Sequence, residues 1–329
     1  MFIIKKYLIV LFFLTIFAVI LNSHVYASYS NTPTLIDSSD NDKLSLGNNY
    51  FKKGQYDMAI TVYSEALKVN PRLVAYYNNR AVTYFRIGKY EKAIDDLTSG
   101  IEIDPNYAVS YYNRGYVYDE LKNYDLAIAD YSKAIAIDSG REEYYYNRGV
   151  SYYSNHISDL AIADFSKAIE LNPKYYIAYN NRGNIYREKR KYDLAIADFN
   201  QAIAYNKDYA YAYNNRGLVY YALRDYDTAI EDFNKAIIIS PDYQAAFINR
   251  GMCYGDKRQY DLAIADYTKA IQLDNNNGAV FTLRGGAYRQ QGLYDLAIKD
   301  YDRAIELNPN DIMPRVCKKL LLDKLESNN

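Results

Sequence analysis

Apolar residues recur with the spacing of α-helices along most of the chain. Between residues 108 and 141, Tyr111, Gly115 and Tyr118 are spaced i, i+4 and i+7, and a second stripe follows the polar segment "KNYD". That second stripe consists of Ala127, Ile128, Tyr131, Ala134 and Ile135. Such spacing indicates two amphipathic helices and not strands. The sequence therefore predicts a helical hairpin, with Asp125 as the N-cap of its second helix.

The hairpin pattern repeats every 34 residues without an insertion. The segment "YDLAIAD" occurs at 124–130, 192–198 and 260–266, two periods apart each time. Eight units are predicted, at residues 40–73, 74–107, 108–141, 142–175, 176–209, 210–243, 244–277 and 278–311. Several units end in Asn-Pro or Asp-Pro, where proline disfavours helix in the preceding residue. Because one hairpin cannot bury its apolar stripe alone, neighbouring hairpins are expected to stack into a solenoid.

The repeated framework resembles that of tetratricopeptide repeats. In the unit 108–141 the aromatic, glycine and alanine positions of that family are occupied, and Pro105 matches its closing proline. This resemblance covers residues 40–311 and implies an all-α fold, an α-solenoid in the form of a right-handed superhelix with a concave groove. Residues 312–329 are expected to form a C-terminal capping helix and tail, with Val316, Leu320 and Leu321 on one apolar side and charges elsewhere.

The first 27 residues have the layout of a secretory signal peptide. Lys5 and Lys6 precede an uncharged apolar segment at 7–21, and Ala27 suits a cleavage site. The apolar segment is shorter than the about 20 residues that span a bilayer. A polar linker is predicted at 28–39. We expect an exported chain, periplasmic or secreted if the peptide is cleaved and membrane-anchored if it is not.

Composition excludes several classes of function. The formal net charge is −1, so no basic surplus is available for nucleic acid. Cys253 and Cys317 are too few and too far apart for a disulfide framework or a zinc site, and no metal or other cofactor is expected. Beyond residue 27 the one histidine is His156, in a predicted turn, and no nucleophile-elbow, P-loop or zinc-protease motif is present. The sequence predicts no catalytic residue and no enzyme.

An arginine recurs in seven units at a position that is apolar in most members of the family. Sixteen residues after each arginine stands an aspartate, and the first unit has Leu46 and Val62 at the two positions. Because a semi-buried charge needs a partner, the matched loss predicts an ion pair inside each hairpin. The predicted pairs are Arg80 with Asp96, Arg114 with Asp130, Arg148 with Asp164, Arg182 with Asp198, Arg216 with Asp232, Arg250 with Asp266, and Arg284 with Asp300.

An asparagine precedes six of these arginines, at Asn79, Asn113, Asn147, Asn181, Asn215 and Asn249. A carboxamide both donates and accepts, so a row of them could hold the backbone of an extended peptide. The family resemblance supports such a ladder in the concave groove, beside Tyr112, Tyr116, Tyr146, Tyr153, Asn184 and Tyr221. In the alternative interpretation, the asparagines hydrogen-bond to a neighbouring helix.

The resemblance implies a non-catalytic scaffold for protein–protein interaction, whose partner is a protein or peptide of unknown identity. Two other functions stay open from the sequence. One is an envelope-anchored structural spacer that associates with copies of itself. The other is a cell-wall glycan binder that uses the groove tyrosines and asparagines.

Overall fold

The computed structural model describes residues 38–327. The predicted signal peptide and linker residues 28–37 lie outside the described residues. Residues 38–327 form seventeen α-helices and no strand. The helices are α1 Ser38–Lys52, α2 Tyr56–Val69, α3 Val74–Arg86, α4 Tyr90–Ile103, α5 Ala108–Glu120, α6 Tyr124–Ile137, α7 Glu142–Ser154, α8 Ser158–Leu171, α9 Tyr176–Glu188, α10 Tyr192–Tyr205, α11 Ala210–Leu223, α12 Tyr226–Ile239, α13 Gln244–Asp256, α14 Tyr260–Leu273, α15 Gly278–Gln290, α16 Tyr294–Leu307 and α17 Ile312–Glu326.

The described chain divides into two compact units, one ending at Ala178 and one beginning at Tyr179. The first unit contains α1 to α8, the second contains α10 to α17, and the boundary falls within α9. The helices pack as consecutive pairs, which confirms the all-α solenoid class. In each pair the odd-numbered helix is the first helix of a hairpin and the even-numbered helix is the second.

Small residues allow the two helices of a hairpin to approach closely. One alanine in every second helix is fully buried, at Ala59, Ala93, Ala127, Ala161, Ala195, Ala229, Ala263 and Ala297. On the facing helix, a Cβ added to Gly115 would lie 3.0 Å from the ring of Tyr131. The ring of the second helix therefore packs directly on the backbone of the first, at a distance that a larger residue would prevent.

A left-handed residue closes the turn inside every hairpin. Glycine fills this position in three turns, with φ of 72 to 78° at Gly54, Gly88 and Gly292. The other five turns use Lys122, His156, Arg190, Arg224 and Arg258, with φ between 57 and 64°. His156 is thus an exposed turn residue, in a conformation that costs a non-glycine residue about 1 kcal/mol.

The expected N-cap role of Asp125 is wrong. The cap position of α6 is Asn123, whose side chain makes no capping hydrogen bond, and Asp125 lies in the first turn of the helix. There its carboxylate accepts a hydrogen bond of 2.9 Å from the Asn155 amide of the next hairpin. An acidic residue in this turn still interacts favourably with the helix dipole.

The C-terminal helix α17 continues the register of the first helices. Lys318 stands 34 residues after Arg284, and its ammonium pairs with Asp302 at 2.5 Å. The predicted apolar side is only partly correct, because Leu321 is buried with Met313 and Cys317, while Leu320 is 57% exposed. The outer face of α17 therefore carries Leu320 and other apolar side chains and is not purely polar.

Candidate functional site

The structure brings all seven predicted arginine and aspartate partners together. In each pair the arginine Nε donates to one carboxylate oxygen at 2.8–2.9 Å, and Nη2 donates to the other at 2.6–2.9 Å. Each aspartate is buried and each arginine is half-buried. This bidentate geometry is the strongest form of the interaction. The hydrogen bonds from Arg80 to Asp96 raise the pKa of Arg80, so its guanidinium stays charged.

The third arginine nitrogen reaches the preceding hairpin, a contact that sequence reasoning missed. Within each compact unit, Nη1 donates to a hydroxyl or amide oxygen sixteen residues earlier at 2.5–3.1 Å. The acceptors are Ser64, Thr98, Ser132, Asn200, Asn234 and Thr268. The arginine therefore connects the two helices of its own hairpin and also connects that hairpin to the preceding one. Its sequence signal is the recurrence of Ser, Thr or Asn at this position.

Aromatic rings lie beside each of these guanidinium groups. The arginine Cζ is 5.6–6.0 Å from the ring centroid three residues before it, four residues after it, or both. For Arg148 the two rings are Tyr145 and Tyr152, each at 5.7 Å. Cation–π contacts of this kind contribute about 0.5–1 kcal/mol at partly exposed sites. They account for part of the unusually high tyrosine content.

The asparagines lie on the first helices, but they do not offer free amides to a ligand. Asn79, Asn113, Asn147, Asn181 and Asn215 are 1–4% exposed, and Asn249 is half-buried. Five of them donate from Nδ2 to the preceding hairpin at 2.7–3.2 Å. These bonds join Asn79 to Asn48, Asn113 to Asn78, Asn147 to Tyr112, Asn215 to Asn180, and Asn249 to Asn214.

The expectation of a ladder with open donors is therefore wrong for these five residues. Their donor groups are used between neighbouring first helices, which is the alternative interpretation. The carbonyl oxygens of Asn79 and Asn113 have no hydrogen-bond partner, yet both are enclosed by protein. Hydrogen bonds between neighbouring first helices therefore orient these five amides.

Most of the groove residues expected beside the ladder are also buried. Tyr112, Tyr116, Tyr146 and Asn184 are buried, and Tyr153 is half-buried. Ring contacts explain this in the first unit, where Tyr112 lies 4.8 Å from Tyr144 and Tyr146 lies 5.0 Å from Tyr175, between ring centroids. The bulk of these side chains fills the surface that they were expected to line. Half-buried Tyr221, in the second unit, lines a sizeable cavity.

That cavity, which we call the C-terminal cavity, has a volume of about 670 Å³. Its walls come from the end of α11, the start of α12, the end of α13, and from α14 to α17. Apolar side chains include Met252, Leu283 and Met313, and polar ones include Tyr221 and Asp256. The Asp256 carboxylate accepts hydrogen bonds from the hydroxyls of Tyr221 at 3.0 Å and Tyr226 at 3.2 Å.

Two glycines on the first helices line the cavity. Gly286 stands where the six preceding units have Val82, Tyr116, Val150, Asn184, Leu218 and Met252. A Cβ built on Gly286 would meet no atom within 4 Å. Gly255 likewise replaces larger residues such as Tyr153 and Tyr221. The sequence signal for the cavity is thus the loss of bulk at repeating positions, which the sequence reasoning did not use.

The described residues contain neither a metal-binding cluster nor a helix that could span a membrane. Within residues 38–327, no group of three His, Cys, Asp or Glu side chains is arranged to bind a metal ion. No helix in this part of the chain is long and apolar enough to cross a membrane. Cys253 and Cys317 are free thiols buried in the second unit, and burial raises the pKa of Cys253 to about 12.

Stacked helical hairpins joined by repeated side-chain contacts define a solenoid repeat protein. Profiles of the tetratricopeptide repeat match residues 74–107, 108–140, 142–175, 245–277 and 279–311, a further one matches 180–244, and a TPR repeat profile matches 47–88. The chain belongs to the tetratricopeptide repeat family. Proteins of this family are generally interaction scaffolds without catalytic activity, and the repeats support a protein-interaction scaffold for this chain.

Solved structures share the fold at low sequence identity. A chain of the APC/C hetero-tetramer Cut9–Hcn1 is 20% identical with a TM-score of 0.61, over 85% of this chain and 55% of that one. A tetratricopeptide repeat protein from Parabacteroides merdae is 19% identical with a TM-score of 0.59, over 79% and 98%. Pseudomonas aeruginosa pilF is 19% identical with a TM-score of 0.57, over 64% and 96%. This chain thus spans about half of the Cut9–Hcn1 chain. No curated protein sequence matches it significantly.

Proposed function

We propose that the protein is a non-catalytic scaffold that holds an extended peptide segment of a partner protein along the first helices of its second unit. The observation that carries the proposal is the C-terminal cavity, where Gly286 leaves open the space that larger residues occupy elsewhere. Its volume of about 670 Å³ lies in the range of ligand sites. Its mixture of apolar walls with tyrosine hydroxyls suits side chains of a peptide.

Filling the cavity tests this proposal. Peptides are selected from a displayed random library on the wild-type protein, and their dissociation constants are measured on the Gly286→Leu variant. Leucine is a residue that the chain itself uses at this position, at Leu218. It is also a better helix former than glycine, so folding is expected to be retained. The added side chain enters the cavity and is expected to weaken peptide binding at least about ten-fold.

The matched control is Ala265→Leu, at an exposed position of α14 outside the cavity lining. It is expected to leave binding of the same peptides unchanged. Thermal unfolding of both variants checks that the fold is intact. Selected peptides that bind the Gly286→Leu variant as tightly as the wild type would place their site elsewhere. A library that yields no binder would also count against the proposal.

Export is the second part of the proposal, supported by the order of Lys5 and Lys6, the apolar segment and Ala27. The intact mass of the protein recovered from its native cells is the measurement. A mature chain that begins at Ser28 and lies outside the cytoplasm is the expected result. Full-length protein in the membrane fraction would instead show an uncleaved anchor.

A self-associating spacer is the one competing function that a specific observation favours. The outer face of α17 exposes Ile312 to 67% and Leu320 to 57%, with Val316 between them. Apolar stripes of this kind frequently mark interfaces. Sedimentation velocity of the wild type and of the Leu320→Glu variant tests whether the protein self-associates through this face. Concentration-dependent association that this substitution abolishes would support the spacer.

A further inference from the structure

Three arginines at the C-terminal cavity differ from the arginines of the repeat framework. Arg224, Arg258 and Arg289 line the cavity, and none of them forms an ion pair or a hydrogen bond through its side chain within residues 38–327. The seven framework arginines, by contrast, all have carboxylate partners. The cavity therefore carries three positive charges that have no ion-pair partner among the described residues.

The one acidic residue in the cavity lining does not compensate for them. Asp256 is engaged by the hydroxyls of Tyr221 and Tyr226. Three cationic side chains against one carboxylate leave a local surplus of positive charge, in a chain whose formal net charge is −1. A surplus of this kind attracts an anionic partner.

Arg289 is the best placed of the three to contact a ligand. It is half-buried near the end of α15, whereas Arg224 and Arg258 are exposed turn residues. Arg289 lines the cavity together with Tyr301 and Cys317. Burial raises the pKa of both of these side chains, and the positive charge of Arg289 opposes both shifts. Met313 and Leu283 line the same cavity and offer an apolar surface nearby.

We propose that the C-terminal cavity binds a polypeptide segment in which an acidic residue adjoins an apolar one, with the carboxylate on Arg289 and the apolar side chain against Leu283 and Met313. This inference rests on the proposed function and adds the chemistry of the partner. The planar guanidinium matches a carboxylate with two parallel hydrogen bonds. The partner is therefore an acidic segment and not a basic or purely apolar one.

The probes are fluorescein-labelled peptides that alternate leucine with glutamate, compared with peptides that alternate leucine with glutamine, all with amidated C-termini. Fluorescence anisotropy with the full mature chain is expected to show that the glutamate peptide binds at least about ten-fold more tightly than the glutamine peptide. Hydrogen bonds to charged groups are stronger than neutral ones by a free energy that corresponds to about this ratio. A glutamine peptide with a free C-terminus shows whether a terminal carboxylate serves equally well. Raising the salt concentration is expected to weaken only the peptides that carry carboxylates.

The Arg289→Gln variant removes the charge while keeping a polar side chain. It is expected to bind the glutamate peptide no better than the glutamine peptide. The matched control is Arg303→Gln in α16, where the exposed arginine pairs with Glu306 at 3.0 Å away from the cavity. This control is expected to retain the preference for glutamate.

Equal binding of the two peptides by the wild type would overturn the inference, as would an unchanged preference in the Arg289→Gln variant. Failure of the glutamate peptide to bind at high micromolar concentration would overturn it as well. If both peptides bind equally and Gly286→Leu abolishes both, the cavity remains the binding site and only the charge preference is wrong. The two failures are thus distinguishable.

Discussion

Replacing one framework ion pair by the apolar pair of the first hairpin tests how the charges stabilise the hairpins. Arg148 and Asp164 join α7 to α8 through two hydrogen bonds of 2.8 and 2.9 Å. In the first hairpin the equivalent residues are Leu46 and Val62. The variants are Arg148→Leu, Asp164→Val and the two together. The double variant thus carries the same leucine and valine that occupy these two positions in the first hairpin.

Each single substitution is expected to destabilise the protein more than the double substitution does. Asp164 is 5% exposed, so Arg148→Leu leaves a buried carboxylate without its partner, at a cost of about 3–5 kcal/mol. The same substitution removes the hydrogen bond to Ser132 at 3.0 Å, worth about 1 kcal/mol. In the double variant no charge is left buried, and apolar replacements of ion pairs are often neutral. The double variant is therefore expected to lose only about 1–2 kcal/mol.

Native-state hydrogen exchange is the suitable assay, because solenoid repeats can open locally and exchange reports the opening free energy of each helix separately. The opening free energy of amides in α7 and α8 is compared among the four proteins. Amides of α15 and α16, in the other compact unit, serve as the internal reference. Additive effects of the two substitutions, or a loss below about 1 kcal/mol for Arg148→Leu, would show that the pair is not energetically coupled.

Four further substitutions test the packing and the buried polar groups. Gly286→Ala is expected to raise stability by about 0.5–1 kcal/mol, whereas Gly285→Ala, whose Cβ would lie 2.8 Å from the Tyr301 ring, is expected to lower it by about 1–3 kcal/mol in urea unfolding. Asn147→Ala removes the donor to a buried tyrosine hydroxyl at 2.7 Å and should cost about 1–3 kcal/mol, where an unchanged melting temperature would contradict the structural role. Burial raises the pKa of Asp119 to about 6, above its unfolded value, so ionisation of this carboxyl destabilises the fold as pH rises. Asp119→Asn should therefore be about 1–2 kcal/mol more stable than the wild type at pH 8, with the gain shrinking between pH 6 and pH 4, and a gain independent of pH would refute the assignment.

The hairpins were predictable from the sequence because the forces that form them act within one repeat and between adjacent repeats. Fully buried Ala127 and the close contact of Gly115 with Tyr131 follow from the apolar spacing of a single unit. Eight repetitions of that spacing leave little room for another fold. The turn chemistry was less predictable, since Lys122 and His156 adopt the left-handed conformation that glycine adopts elsewhere.

The ion pairs could be inferred because the chain contains its own control. Leu46 and Val62 lose both charges together, which points to contact between the two positions. No such comparison exposes the third contact, from Arg148 to Ser132. Serine is frequent on exposed helix surfaces, and this bond depends on how one hairpin is placed against the next. That placement is a property of the stack and not of the repeat sequence.

The asparagines show why recurrence alone does not identify a binding site. A position that is the same in every repeat meets the same neighbour in every repeat, so its recurrence is explained by contacts between repeats before any ligand is considered. Asn215 donates to Asn180 and Asn249 donates to Asn214, each one repeat apart. A ligand, in contrast, meets only part of the array, and its site should appear where the recurrence breaks. Leu283 in place of asparagine and Gly286 in place of a larger residue are such breaks, and both line the C-terminal cavity.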